Sequence, residues 1–382
     1  MRIAIVGGGI GGLTAGLALQ QAGFDPIIYE RAPMFGEVGA GLSISPNATH
    51  GLNALGFANW IARHANEPIE QCLFHGETGE PLRTFDRRTT RETYGAAYAQ
   101  MHRADLHEAL AERFGLQNCR LGAELTGIGA DGALTFADGT TIQHDVVIAA
   151  DGLRSIVRDA LFDPDPPHFS GHVAWRALVD AALLGSDYVQ RRNTNHIGPG
   201  RNFVTYPVRG TELVNIVMLT RSADWAEESW AARGTLAGLR VHFGGWCPHV
   251  HRAIDAIDES HLYRWGLFIR KPVDSWIKGR IALLGDAAHP MLPFMGQGAS
   301  SAIEDGIVLG RCFAAEADPA KALTLYEASR IKRASFLQAE SNLGGDRLQA
   351  LDPYLLRDMP VQNEDALGIF SYNPVTEALG RT

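Results

Sequence analysis

The sequence is poor in the features that mark disulfide-rich and zinc-binding proteins. Its 382 residues show no CxxC pair and no histidine at metal-ligand spacing, and the only cysteines are Cys72, Cys119, Cys247 and Cys312. Scattered cysteines of this kind are typical of reduced thiols in a cytoplasmic protein. We therefore expect neither a disulfide framework nor a bound metal.

Long apolar runs and clusters of positive charge are also missing. No stretch approaches the ~18 uninterrupted apolar residues of a membrane helix. The first apolar run, IAIVGGGIGGL, contains helix-breaking glycines and lacks the charged region and cleavage site of a signal peptide. The net charge is −9 and no block is rich in Lys and Arg, which argues against a nucleic-acid partner. We expect a cytoplasmic monomer or homodimer without stable membrane insertion.

The N-terminal segment has the pattern of a βαβ unit that binds a dinucleotide. An apolar strand, IAIV, precedes the glycines, a helical stretch follows them, and a second strand ends at Glu30. Gly7 allows a tight turn, Gly9 lets a pyrophosphate approach the backbone, and Gly12 lets the helix pack on the strand. Glycines alone also fit a turn without a ligand. Together with a carboxylate that can accept from ribose hydroxyls, they favour FAD or NAD.

The rest of the chain predicts one interrupted domain with an insertion. Apolar strands recur before residues 151 and 285, short β-rich segments fill residues 172–219, and helical stretches follow residue 300. The composition, 46% hydrophobic and 20% charged, is that of a globular protein. We predict a discontinuous cofactor domain at residues 1–75, 100–165 and 278–345, a β-sheet substrate domain at 76–99 and 166–277, and a tail of unclear role at 346–382.

Two further motifs follow apolar strands. Asp151 opens DGLRSIVR, and Gly285 and Asp286 open GDAAHPMLPFMGQG. The second motif ends in a turn before a helix, at Gly296, Gln297 and Gly298. With GGGIGG, these motifs resemble the three fingerprints of the single-component FAD-dependent aromatic hydroxylases of the para-hydroxybenzoate hydroxylase type. The salicylate, 3-hydroxybenzoate and 6-hydroxynicotinate monooxygenases are the most similar group, and the resemblance covers nearly the whole chain.

This resemblance implies a fold and an activity. The fold is α/β, with a Rossmann-like FAD-binding domain, an inserted β-sheet substrate domain and C-terminal helices. The activity is hydroxylation of a small aromatic or heteroaromatic compound, of the hydroxybenzoate, salicylate or hydroxypyridine type, through a flavin C4a-hydroperoxide. FAD is the cofactor, O2 the oxidant and NAD(P)H a transient reductant, in keeping with a sequence that has no second GxGxxG. A flavin epoxidase or urate-type heterocycle oxidase, and a non-oxygenase FAD-binding protein, remain alternatives.

The resemblance also implies which residues bind FAD. Asp286 would accept a charge-assisted hydrogen bond from a ribityl hydroxyl. The helix after the GQG turn would direct its N–H groups at the flavin pyrimidine edge, which is anionic when the flavin is reduced. Further FAD contacts are expected from Arg31, Ser43, Arg103, Leu125, Asp151, Gly285 and Pro293.

The expected substrate residues depart from the family pattern at one position. Tyr206 aligns with a pocket tyrosine of the 3-hydroxybenzoate and 6-hydroxynicotinate enzymes. Four residues earlier, where those enzymes carry a histidine base, this chain has Asn202, which cannot take a proton at neutral pH. Either the substrate is already ionised or electron-rich, or another group is the base. His196 and His289 are the candidates.

The substrate pocket is expected to combine an apolar wall with one positive charge. Phe294, in the apolar run MLPFM, is placed to wall the pocket and exclude water, although core packing explains its apolar character equally well. Arg176 could face a substrate carboxylate, and a structural arginine at the rim of the pocket is the alternative.

Overall fold

The structure is a computed structural model that describes residues 1–36, 40–162, 165–223, 225, 233–349, 352–358, 360 and 363–380. The strands are β1 (Ile3–Val6), β2 (Ile27–Glu30), β3 (Gly41–Ile44), β4 (Glu70–His75), β5 (Pro81–Asp86), β6 (Ala99–His102), β7 (Cys119–Leu121), β8 (Leu125–Ile128), β9 (Ala133–Phe136), β10 (Thr141–Gln143), β11 (Val146–Ala149), β12 (His168–Asp180), β13 (Arg192–Gly198), β14 (Arg201–Val208), β15 (Leu213–Arg221), β16 (Tyr263–Ile269), β17 (Ile277–Lys278) and β18 (Ile281–Leu283). The helices are α1 (Ile10–Gln21), α2 (Pro46–Ala54), α3 (Ala58–His64), α4 (Thr90–Tyr94), α5 (Arg103–Phe114), α6 (Ile156–Leu161), α7 (Leu236–Phe243), α8 (Pro248–Asp255), α9 (Gly298–Ala315), α10 (Pro319–Leu348) and α11 (Leu355–Asp358).

A first sheet, with the strand order β17-β18-β11-β1-β2-β7, brings the three sequence motifs together. The pairs β18–β11, β11–β1, β1–β2 and β2–β7 are parallel. Buried parallel strands are apolar on both faces, which explains the continuous apolar runs. Because β1, β11 and β18 are neighbours, the segments that follow them lie side by side at the carboxyl edge of the sheet, where α/β folds bind their ligands.

Helices α1 and α9 pack closely enough that only glycine fits at their contacts. A Cβ on Gly306 would lie 2.7 Å from the nitrogen of Ala15, and one on Gly310 would lie 2.6 Å from the Cβ of Ala18. The later residue of α9, Gly310, contacts the later residue of α1, Ala18, so α1 and α9 run parallel. Their N-termini, each the positive end of a helix dipole, therefore lie at the same edge of the sheet.

A second, larger sheet has the strand order β16-β12-β15-β14-β13-β4-β5 and packs on both faces. One face is covered by α7 and α8, through a cluster that includes Trp175, Phe203 and Phe243. The other face meets the loop after β18, where Leu292 packs against Trp265. This second contact places the inner face of the large sheet opposite the loop that carries GQG.

The predicted α/β class, with an inserted β-sheet region and C-terminal helices, is confirmed. One boundary differs, because β4, which we placed with the cofactor domain, pairs with β13 and β5 in the large sheet. A boundary after residue 75 therefore divides a hairpin. Within the described ranges, no helix combines the length and the apolar character needed to cross a membrane.

Candidate active site

The glycine loop after β1 leaves one open position at the start of α1. A Cβ on Gly12 would overlap the carbonyl oxygen of Gly7, and Gly7 itself has a φ of +102°, so protein packing requires both glycines. Gly9 differs, because a Cβ there would meet no atom within 4 Å. This open space lies at the N-cap of α1, where free N–H groups can receive an anion.

Two side chains hold the peptide groups of Gly8 in this loop. Glu30 accepts a hydrogen bond from the Gly8 nitrogen at 2.7 Å and a second from the Ala32 nitrogen at 2.9 Å. The Nε2 atom of His107, on α5, lies 2.7 Å from the Gly8 carbonyl oxygen. Glu30 therefore shapes the loop in addition to its expected contact with ribose. Sequence analysis did not find His107, because no motif links it to a loop 99 residues away.

Asp286 lies in the segment after β18, at the carboxyl edge of the first sheet, and we call the space at this edge the cleft. Its side chain is exposed, yet the protein around it is dense enough that desolvation raises the pKa of its carboxyl, against the lowering effects of His289 and Arg103. A carboxylate at such a position suits a hydroxyl donor from a bound ligand.

The Asp286→Ala variant is expected to bind FAD about tenfold or more weakly, since a charge-assisted hydrogen bond contributes about 1.5–3 kcal/mol. Titration of the apoprotein with FAD measures the change. Asp138→Ala, in a turn where Asp138 bonds only its neighbour Thr140, is the control and should bind FAD as the wild type does. Equal affinity in both variants would leave Asp286 as a turn residue.

The GQG turn presents backbone, not side chain, to the cleft. Gly296 is exposed with a φ of +63°, whereas Gln297 is only 2% exposed. The Gln297 amide points inward and donates to the Ser45 hydroxyl at 3.1 Å and the Met295 carbonyl at 3.3 Å. Gln297 therefore fixes the turn. The groups left for a ligand are the N–H groups of the first turn of α9, which lack partners within the helix.

A buried carboxylate–arginine cluster, made of Glu304, Asp305, Arg330 and Arg333, lies behind the cleft. Asp305 on α9 accepts from the Gly285 nitrogen at 3.0 Å and from Nε of Arg330 at 2.7 Å. Burial raises the pKa of Asp305, but the charges of His289 and Arg330 outweigh it and lower that pKa to about 2. The cluster thus holds the beginning of the GD segment.

Glu304 connects the same cluster to the GQG turn. It accepts from Nδ2 of Asn47 at 2.6 Å, and the same Asn47 nitrogen lies 3.2 Å from Oε1 of Gln297. Two bonds of 2.8 Å from Arg333 and an ion pair with Arg330 neutralise Glu304. The adjacent residues Glu304 and Asp305 of α9 therefore hold the GQG turn and the GD segment, respectively.

His289 contacts the carboxylate–arginine cluster through Asp305. It is 1% exposed, and its Nε2 atom lies 2.6 Å from Oδ2 of Asp305. Its ring packs against Trp276, at 5.2 Å between centroids. This position explains His289 as a residue that holds the GD loop, and it gives no geometric support for a base in the substrate pocket.

The DG segment after β11 is fastened to the GD segment by Arg158. This buried arginine donates to the carbonyls of Ala287 and Ala288, both at 3.2 Å, and to that of Lys271 at 2.6 Å. Asp151 accepts from the Val157 nitrogen at 3.3 Å, and desolvation raises the pKa of its carboxyl. Asp151 therefore caps α6, and Arg158 sets the distance between two of the three motifs.

The other residues expected to contact FAD lie on several different elements. Arg31 is exposed beside Glu30, and Arg103 is the half-buried first residue of α5. Leu125 begins β8 with its side chain in the core, and half-buried Pro293 begins the turn before GQG. Among the described residues, no group of His, Cys, Asp and Glu side chains is arranged to hold a metal ion.

Arg176 and Tyr206 share the inner face of the large sheet. Arg176 on β12 is opposite Val217 of β15, which is opposite Val204 of β14, two residues from Tyr206. The Arg176 guanidinium carbon lies 5.6 Å from the centre of the Trp265 ring. Desolvation lowers the pKa of Arg176, and among the described residues no aspartate or glutamate pairs with it. Arg176 is half-buried, its Nη1 lies 3.5 Å from the carbonyl oxygen of Gly41, and its charge suits an anionic group of a ligand.

Tyr206 lies close to the hydroxyl of Ser43 and to Arg176. Burial raises the pKa of Tyr206, while the nearby Arg176 and the hydroxyl of Ser43 lower it by less. Ser43 lies on β3, which pairs with β6, so the tyrosine bridges the large sheet and the cofactor side of the cleft. With its pKa raised, Tyr206 is protonated at neutral pH and acts as a hydrogen-bond group.

An apolar wall faces these polar groups. Leu292 and Phe294, from the loop before GQG, join Val217, Leu219 and Trp265 of the large sheet in one cluster. A pocket walled in this way excludes water from the reacting groups.

Asn202 on β14 and His196 on β13 point to opposite faces of the large sheet. Asn202 faces inward, but its amide is bonded to Asn195 at 3.3 Å and to Gln349 at 3.1 Å. His196 points to the outer face, where its ring stacks on His249 at 4.9 Å. Burial, with the nearby His249, lowers the pKa of His196 to about 3. The alternative that His196 is the pocket base is therefore wrong.

Comparison with known proteins agrees with this geometry. The FAD binding domain family matches residues 1–197 and 256–341. The 3-amino-4-hydroxybenzoate 2-monooxygenase of Streptomyces platensis is 36% identical over 97% of this chain and 95% of that protein. The 3-hydroxybenzoate 6-hydroxylase 1 of Aquipseudomonas alcaligenes is 35% identical over 90% and 89%. The crystal structure of Klebsiella pneumoniae HpxO with FAD and uric acid has a TM-score of 0.85 at 29% identity, covering 97% and 95%.

Proposed function

The chain belongs to the FAD binding domain family and is an FAD-dependent monooxygenase, and on that premise we propose that its substrate is a small aromatic carboxylate. NAD(P)H would be the reductant and O2 the source of the inserted oxygen. The observation that supports this substrate is Arg176, a cation without an acidic partner among the described residues, on the same sheet face as Tyr206. Both relatives quoted above are named for hydroxybenzoate substrates.

FAD fits the residues around the cleft. The open space at Gly9 suits the pyrophosphate, Glu30 a ribose, Asp286 the ribityl chain, and the first turn of α9 the pyrimidine edge. Bound FAD would carry two electrons from NAD(P)H to O2, so that one oxygen atom enters the ring and the other leaves as water. The N-termini of the parallel helices α1 and α9 would stabilise the negative charges of FAD.

The residues of the large sheet would orient the substrate. Arg176 would bind the carboxylate through a bidentate, charge-assisted pair. Tyr206, held by Ser43, would donate or accept a hydrogen bond at the ring oxygen. Leu292 and Phe294 would keep water away from the reacting carbon. Orientation of this kind raises the fraction of reduction events that end in product.

Stopped-flow reduction of the bound flavin by NADH and by NADPH tests this function. The panel contains hydroxybenzoates, hydroxypyridine carboxylates, the same rings without a carboxylate, and purines. A carboxylate-bearing ring should accelerate reduction and yield a hydroxylated product. If only the rings without a carboxylate accelerate flavin reduction, the proposed substrate class is wrong.

The Arg176→Gln variant is expected to lose affinity for the carboxylate substrate by about tenfold to a hundredfold, because a hydrogen bond between charged groups contributes about 1.5–3 kcal/mol. Its affinity for the ring without a carboxylate should be unchanged, and that ligand serves as the internal control. Spectral titration of the oxidised flavin measures both. Equal losses for the two ligands would indicate a structural arginine.

A urate-type heterocycle is the second candidate. Urate is also an anion, so the unpaired charge of Arg176 suits it, and the HpxO structure contains uric acid. The purine arm of the panel distinguishes the two, because a carboxylate-specific enzyme should not respond to it.

The hydroxylation rate is expected to lack a histidine-type inflection between about pH 6 and 8. Burial lowers the pKa of His196 to about 3 and also lowers the pKa of His172, the histidine that packs against Phe294. With a pKa of about 3, His196 stays neutral through this range, and the lowered pKa of His172 moves its ionisation towards more acidic pH. A rate profile across this range measures the effect, and the ionisation of the substrate should govern it.

The Tyr206→Phe variant is expected to release more hydrogen peroxide per NAD(P)H, because a ring without its hydrogen bond is held less well. Peroxide and product are measured together at saturating substrate. If the ratio of peroxide to product is unchanged, Tyr206 does not hold the ring oxygen of the substrate.

For the pH profile, the contradicting result is a rate inflection near pH 6.5 that disappears in the His172→Gln variant, because it would identify a histidine base.

A further inference from the structure

The C-terminal residues 363–380, which we call the C-terminal clasp, return to the cofactor side of the molecule. Ile369 and Phe370 are 0% and 1% exposed and pack with Tyr98 and Met295. Met295 is the residue directly before the GQG turn. The clasp is therefore a packed part of the wall behind that turn, although its sequence is polar and mixed.

Tyr372 places the clasp on the carboxylate–arginine cluster. The guanidinium carbon of Arg333 lies 3.8 Å from the centre of the Tyr372 ring, and that of Arg330 lies 5.6 Å from it. Arg333 also donates to the carbonyl of Ile369 at 3.2 Å. Each arginine thus contacts both the Tyr372 ring and the carboxylate of Glu304. A contact between a cation and an aromatic face strengthens as water is excluded, and here Arg330 is fully buried while Tyr372 is half-buried.

Further bonds hold the C-terminal half of the clasp. Arg311 donates to the carbonyls of Pro374 and Glu377, both at 2.7 Å. The nitrogen of Gly380 donates to Ser329 at 2.8 Å. These contacts are to α9 and α10, the helices that carry the cluster.

The carboxylate–arginine cluster connects the clasp to the cofactor segments. Glu304 reaches the GQG turn through Asn47, and Asp305 holds the nitrogen of Gly285. Loosening of Tyr372 would leave Arg333 and Arg330 free to change their contacts with these carboxylates. Because the interior is close-packed, such a change reaches both segments.

We propose that Tyr372 is a positioning residue for FAD, and that seating of the C-terminal clasp and binding of FAD are thermodynamically coupled. Coupling of this kind is reciprocal. FAD should slow exchange of the clasp amides, and a loosened clasp should weaken FAD by the same factor. The proposal depends on the cofactor and not on the identity of the substrate.

Hydrogen–deuterium exchange of the wild-type apoprotein, with and without FAD, is the first test. The expected result is slower exchange in residues 363–380 when FAD is present. Residues 352–358, where Tyr354 packs on His75 and bonds Glu80, serve as the control and should exchange equally in both states. Equal exchange of the clasp with and without FAD would overturn the proposal, and this arm requires no variant to fold.

FAD titration of two Tyr372 variants is the second test. Tyr372→Leu removes the aromatic face and should weaken FAD binding by roughly tenfold, in line with a desolvated cation–π contact. Tyr372→Phe keeps that face and should restore the wild-type affinity. Tyr354→Leu, the matched control, should bind FAD normally. Wild-type affinity in Tyr372→Leu, or equal losses in the Leu and Phe variants, would contradict the positioning role.

Discussion

The Gly9→Val variant is expected to fold as the wild-type apoprotein does and to lose FAD affinity by roughly a hundredfold or more. Gly9 has a φ of −71° and a ψ of 179°, which valine adopts without strain. A Cβ at this position meets no protein atom within 4 Å, so the new side chain fills the space beside the N-terminus of α1. It would keep the pyrophosphate from at least two N–H donors, each contributing about 1.5–3 kcal/mol to a charged partner.

Flavin absorbance of the purified protein and thermal unfolding of the apoprotein measure the two halves of this prediction. Gly245→Val, at another position where a Cβ meets no atom within 4 Å, controls for the substitution and should retain FAD. Gly12→Ala should behave differently, because its Cβ overlaps the Gly7 carbonyl and destabilises the apoprotein itself. A Gly9→Val protein that purifies with a full complement of FAD would refute the assignment of the loop.

The Asp305→Ala variant is expected to lower the free energy of unfolding by about 3–5 kcal/mol, the usual cost of removing one partner from a buried ion pair. The substitution removes the acceptor of the Gly285 nitrogen and one of the two carboxylates that pair with Arg330. Denaturant unfolding measures the loss. Asp255→Ala, which breaks an exposed pair with Arg240, should cost no more than about 1 kcal/mol. Similar losses in both variants would contradict the importance of burial.

The pH dependence of this contribution has a definite sign. The pKa of Asp305 is about 2 in the folded protein, below the value of about 3.9 in an unfolded chain. Its stabilisation is therefore complete above about pH 4 and is lost as the pH falls towards the folded value. The difference in stability between wild type and Asp305→Asn should shrink over this interval. A constant difference between about pH 5 and pH 2 would contradict the pKa assignment.

The three motifs could be predicted from sequence because each is a local requirement of the backbone. Gly7 and Gly12 are needed wherever a strand turns tightly into a helix, whatever the rest of the chain does. The apolar runs before residues 7, 151 and 285 predicted buried parallel strands, and the structure places β1, β11 and β18 side by side. The family resemblance then connected these strands to FAD.

The sequence alone could not predict which side chains of β13 and β14 point to the inner face of the large sheet. Strand β13 is buried on both faces, so its residues show no polar and apolar alternation that would indicate which side faces the cleft. For that reason His196 remained a candidate base, although it lies on the outer face with His249. Asn202 faces the inner side, but only its contacts with Asn195 and Gln349 reveal that its amide is already bonded.

The sequence by itself determined the fold class, the cofactor and the kind of reaction, because these depend on short motifs whose glycines and carboxylates act where they stand in the chain. Only the tertiary structure decided which side chains hold those motifs in place. His107 reaches Gly8, Asp305 reaches Gly285, and Tyr372 reaches Arg333 across gaps of 20 to 99 residues. Contacts at such separations arise from packing of helices on a sheet, and packing leaves no fixed spacing in the chain.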